Sequence, residues 1–153
     1  PLTKLNRPIT TVVGSMETPM VTYIYDKDDT LRRLHPTKIQ SWKDVAPIID
    51  CQTFDAVRLY ENGDGIYIDD EGLYVKDQWF WIHRNYPQPL AGKALFIGLD
   101  IETGEDRDLQ TDIQEIRKDI RFIGDAHEIR ILHLLKKDIE DYRPYFFNDL
   151  EAA

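Results

Sequence analysis

Apolar residues recur at two periods along this chain: every second position through much of its first two thirds, and every third or fourth position towards its end. MVTYIYD at 20–26 and TLRRL at 30–34 alternate, and the polar DKDD between them supplies a turn, so the two runs predict a hairpin. ITTVV at 9–13 is a further β-branched run. FDAVRLYE, the turn NGDG and the run GIYIDD give the strongest hairpin signal in the chain, because Asn and Gly tolerate the positive φ that tight turns require. GLYVKDQWFWIH follows as a third, aromatic strand. KALFIGLDI at 93–101 is apolar at nearly every position, which predicts a central strand buried on both faces.

Helical signals come between and after these runs. SWKDVAPIID opens on a capping residue, Ser41, with Asp44 three positions on and Trp42, Val45 and Ile49 at helical spacing, although Pro47 lies inside it. Thr111 followed by Gln114 reads as a capped start, with Ile113, Ile116, Ile120 and Ile123 along one face and Gly124 as the stop. EIRILHLLKKDIEDY fits both periods, and we read it as a helix. Strands first and helices last, without regular βαβ alternation, predict an α+β fold: a mostly antiparallel sheet built from hairpins, with two to three helices packed on one face. One domain over 1–153 is expected, with 1–20 an N-terminal extension or an extra strand and 124–153 a C-terminal helical segment.

Composition narrows the classes. Cys51 is the only cysteine, so neither an internal disulfide framework nor a thiolate zinc cluster is expected, and a reducing, cytoplasmic setting fits. No run approaches the roughly 20 apolar residues that cross a bilayer, and no secretory h-region is visible. Pro1 is a small residue of the kind left when an initiator methionine is trimmed, so residues 1–15 read either as a native start or as an added leader. The net charge of −9 is uneven: residues 99–153 hold 15 acidic against 8 basic side chains, whereas residues 1–50 hold 6 against 7. Such a field repels phosphate backbones and favours a basic partner, including a nucleic-acid-binding protein, over direct contact with nucleic acid.

Chemistry-bearing motifs are few. In YIYDKDDTL an apolar strand runs into Asp26 and Asp28, which resembles the first motif of haloacid-dehalogenase-type phosphatases. The resemblance implies Asp26 as nucleophile and Asp28 as general acid, with both holding magnesium. Asp29 stands where that family usually has glycine, and the repeated βα crossovers of its fold do not follow. Asn62, Asp64 and Glu71 fit a calcium loop aligned on Gly65, but Tyr60 occupies its first ligand position, so the segment reads as a hairpin turn. His35, His83, His127 and His133 have no ligand-pair spacing, and neither a resident metal nor a cofactor is expected.

Aromatic residues crowd the middle of the chain. Alternation places Trp79 and Trp81 on one strand face and Phe80 on the other, so one set enters the core and the other is open to a partner. The expected partner-binding set is Trp81, Trp79, Tyr67 and Tyr74 with the acidic Asp69, Asp70 and Glu71.

Over residues 21–123 the order of motifs is similar to a family of small uncharacterised proteins from phages, plasmids and bacteria. The likeness rests on the hairpin ending in DDEG, the stretch RNYPQPLAGKALFIG, and the acidic loop leading into a capped helix. It implies an accessory protein of a mobile element and carries no active residues. The expectation is therefore a non-catalytic acidic interaction protein that binds or inhibits a host or competitor protein. The alternative is a magnesium-dependent phosphatase using Asp26 and Asp28.

Overall fold

A computed structural model describes residues 21–35, 39, 42–100, 102–103, 105–135 and 139–149. In chain order the strands are β1 (Tyr23–Asp26), β2 (Thr30–Arg33), β3 (Phe54–Arg58), β4 (Asp64–Asp69), β5 (Trp79–His83), β6 (Tyr86–Ala91), β7 (Ala94–Leu99), β8 (Asp106–Arg107) and β9 (Ile120–Asp125). The helices are α1 (Val45–Ile48), α2 (Ile113–Lys118), α3 (Ala126–Leu135) and α4 (Arg143–Phe146). The strand expected at 9–13, like the whole N-terminal extension, lies outside the described residues.

The fold is α+β and its strand pairs are antiparallel. Its strands form two sheets, one ordered β2-β1-β7-β4-β3, with β8 also on β7, and one ordered β6-β5-β9. The anticipated hairpins are β1–β2 and β3–β4, and β7 is the central strand expected from its composition, buried at all six positions. Alternation explains why both its faces are apolar. Ala94 and Phe96 enter a core shared with Trp81, Leu90 and Ile120 of the smaller sheet, while Leu95, Ile97 and Leu99 face Val45 and Ile49 beside α1. A third cluster, Ile82 with Tyr142 and Phe147, lies on the far face of the smaller sheet and gathers Leu132 from α3. Helix α1 covers the outer face of the larger sheet, α2 sends Ile116 into the core between the sheets, and α3 and α4 contribute Leu132 and Phe146 to the far face of the smaller sheet.

Three local expectations change. The helix expected to run from Thr111 to Gly124 ends at Lys118; Asp112 caps it by accepting from the Gln114 N–H at 2.7 Å. Ile120–Asp125 continues as β9, paired with β5, and Gly124 adopts φ +120° beside the irregularity in register opposite Phe80. The isoleucines that satisfy a helical face also satisfy a β-strand, and pairing with β5 decides between the two. The third strand begins only at Trp79, after a 3-10 turn at Gly72–Tyr74. YPQPLA is β6, a strand no periodicity announced: its two prolines lack N–H donors, and an edge position tolerates that. EIRILHLL is helical, as read, from Ala126 to Leu135.

Candidate interaction surface

Two buried acidic side chains, Asp64 and Asp119, are each held by an arginine, whereas Asp55, Asp69 and Asp70 are in none of the salt bridges of the described residues. Asp64, without exposed surface, accepts from Arg107 Nη1 at 3.0 Å, from the Gln110 N–H at 3.0 Å, and from both the N–H and the hydroxyl of Thr111 at 2.6 Å. A Cβ on Gly98 would lie 2.5 Å from Arg107 Nη1, so glycine there makes room for the guanidinium. Asp64 is thus wholly engaged, Asn62 bonds Thr111, and Glu71 lies beyond the end of β4, which fits the hairpin reading of this segment.

A second interior node joins the two sheets. The N–H of Asn85 donates to His83 Nδ1 at 3.0 Å, so the ring proton is on Nε2, which donates to the Tyr60 hydroxyl at 2.9 Å. That hydroxyl donates to Asp119 Oδ2 at 2.8 Å, and Arg84 Nε donates to Asp119 Oδ1 at 2.8 Å. Burial, with the Arg84 charge beside it, pushes the His83 pKa down to about 3 and keeps the ring neutral. Tyr25 and Tyr67 form comparable pairs, donating to Asp29 at 2.8 Å and to Asp106 at 2.5 Å. Burial first, then the carboxylate each one faces, raises all three phenols above their ordinary range. None of these nodes had a sequence signature, since Tyr60 and Asp119 are 59 positions apart.

The motif at Asp26 is a hairpin turn. Asp26 Oδ1 accepts from the Lys27 N–H at 2.6 Å, and Oδ2 lies 3.8 Å from Lys93 and 3.9 Å from Arg32. Asp28 is exposed at φ +69°. The phosphatase resemblance requires a parallel sheet carrying these carboxylates, whereas β1 is antiparallel to both its neighbours. Among the described residues no group of three or more His, Cys, Asp or Glu is placed to hold a metal ion, and no helix is long and apolar enough to cross a membrane.

The seven residues expected to meet a partner separate clearly. Trp81 is fully buried: its indole Nε1–H donates to the Gly92 carbonyl at 2.9 Å, and its ring packs 4.7 Å from that of Tyr25. Tyr67 is 3% exposed, and its ring meets Phe54 edge-on. Both are corrected to core residues: the face of β5 that carries Trp81 is turned towards the larger sheet, and Tyr67 lies on the face of β4 that packs with Val45 and Ile49. Trp79 shares that face, packing against Tyr25 and stacking on Phe122, and is half-buried.

Tyr74, by contrast, is 86% exposed, beside Leu73 at 71% and Val75 at 46%. Asp70 and Glu71 are exposed just before this apolar trio, and Asp69 is half-buried. Backbone and side-chain bonds fix the base of the turn. The Glu71 N–H donates to Asp69 Oδ1 at 2.9 Å, Gln78 Nε2 donates to the Gly72 carbonyl at 2.8 Å, and Thr53 bonds the Asp70 carboxylate. Cys51 lies along the same rim, its thiol pushed up to about 11 by burial and then by Asp69, Asp70 and Asp50. Leu73 and Val75, which the aromatic count passed over, complete the patch with Tyr74.

Compared with family models, curated proteins and solved structures, the chain has no match in any of the three.

Proposed function

We propose that this protein is a non-catalytic acidic interaction module that binds a protein partner through the turn at residues 69–77. The observation that carries this reading is the exposed run Leu73–Tyr74–Val75, held on an anchored base and flanked by Asp70, Glu71 and Asp77. Large apolar side chains presented together are costly to leave in water and, with an aromatic at their centre, form the kind of anchor that dominates interfaces. The acidic flank favours a partner that is itself basic, a nucleic-acid-binding protein among others. A single cysteine, Cys51, which has no partner in the chain for an internal disulfide, fits a cytoplasmic setting. We further propose a role in a mobile element, such as a phage or plasmid, where binding would inhibit or redirect a host or competitor protein.

Affinity capture from lysate at low and high salt tests this, with the wild type beside Tyr74→Ala. A discrete partner lost in the variant and weakened by salt is expected. Equal capture by both chains would contradict it.

A further inference from the structure

Behind the exposed turn is a cleft of about 480 Å³, within the roughly 300–1,000 Å³ typical of ligand sites. It opens between the edge strand of each sheet, β3 on one side and β6 on the other. Its floor is the buried Phe80, Leu90 and Ala91, and Ile68 and Ile129 stand on its walls. Three charged residues line it, Asp55, Asp69 and Asp70, and all are carboxylates. Their hydrogen bonds come from neutral donors: the Ala56 N–H to Asp55, the Glu71 N–H to Asp69 and the Thr53 hydroxyl to Asp70. None is among the salt bridges of the described residues, whereas Asp64, Asp119 and Asp29 each hold an arginine.

We infer that this cleft is the docking site for a basic amphipathic peptide segment of the partner, whose apolar side chains fill the floor while its Lys or Arg residues meet Asp55, Asp69 and Asp70. The inference rests on the interaction reading above and specifies the chemistry of the partner. Charge complementarity selects this occupant. An uncharged apolar segment would leave three carboxylates facing a closed interface without a counter-charge, and an acidic one would add like-charge repulsion. A polar cation would leave the apolar floor uncovered.

The test is a titration of the full chain with three synthetic peptides: an amphipathic Leu/Lys sequence, its Leu/Glu counterpart and a polar Lys/Gln sequence. Affinity is read by calorimetry at two salt concentrations, and the binding site by amide and methyl NMR shifts. The Leu/Lys peptide is expected to bind, to move the signals of Ile68, Leu90 and Ile129, and to weaken with salt. Its affinity should fall about threefold to tenfold for Asp55→Asn/Asp70→Asn, the loss of two partly exposed charge pairs. Because the shifts are read on the wild type, a variant that folds poorly does not decide the matter. Equal binding of the Lys/Gln peptide, shifts elsewhere, or self-association that protects the same residues would each overturn the inference. If Tyr74→Ala abolishes capture of a native partner while the double Asn variant leaves it unchanged, the cleft is wrong and the interaction reading stands.

Discussion

The two ends of the larger sheet spend their carboxylates differently. Around the β4 turn, Asp64 is buried against Arg107 and satisfied by Gln110 and Thr111, so its charge is consumed in holding loop to hairpin. At the opposite end of the same strand, Asp69 and the following Asp70 have neutral hydrogen-bond donors and face an apolar cleft and an exposed turn. One strand thus carries a structural acid at its start and open acids at its end. Net charge alone does not reveal this: arginines placed against the buried Asp64 and Asp119 neutralise interior acids and leave a local surplus elsewhere.

The contrast breaks most visibly at the structural end. Asp64→Ala leaves Arg107 and Thr111 without their acceptor and should cost about 3–5 kcal/mol, read by urea unfolding. At the open end Asp70→Asn should stay within about 0.5 kcal/mol of wild type. If the two variants prove equally destabilised, the division into structural and open acids fails.

His83 gives the next largest effect, and a signed one. Folded, it takes a proton only near pH 3; unfolded, near its ordinary 6.5. Between those values the unfolded chain binds the extra proton, so stability from this group is complete above about pH 6.5 and is lost as pH falls towards 3. The loss is expected to be of order a few kcal/mol. His83→Gln should remove this component of the slope in acid unfolding titrations, and an unchanged slope would mean that the ring is not held neutral.

Cys51 offers a smaller probe of the open rim. A thiol moved from 9.0 to about 11 has about a hundredfold less thiolate near neutral pH, so alkylation should be correspondingly slow and should accelerate only as the pH climbs towards 11. Asp70→Asn should speed it modestly, since that carboxylate is among the causes of the shift. The smallest expected effect is on folding in Tyr74→Ala, within about 0.5 kcal/mol, because the ring is almost wholly in solvent.

Much of the fold was legible because period and turn chemistry agree wherever a strand has an obvious partner. DKDD and NGDG mark the turns of β1–β2 and β3–β4, and the apolar run at 94–99 could only be a strand covered on both faces. The division into two sheets was not legible, since it depends on where β5 turns after the 3-10 turn at Gly72–Tyr74. Ile120 and Ile123 satisfy helical and extended spacing alike, and only pairing with β5 separates the two. For the surface, alternation placed Trp79 and Trp81 on a common face without saying which face was covered, and β7 on the other sheet supplies that cover through Phe96. Tyr74 belonged to the expected set. Its weight comes from Leu73 and Val75 beside it, whose exposure follows from the tight turn and not from any pattern of their own.

The most direct test of the central claim is photo-crosslinking in cells that make the protein, with benzoylphenylalanine replacing Tyr74 in one chain and the similarly exposed Leu134 of α3 in another. A discrete crosslinked protein is expected at position 74, competed away by excess wild type but not by Tyr74→Ala. A crosslink at position 134 with none at 74 would contradict it, and would move the interaction surface to the exposed face of α3.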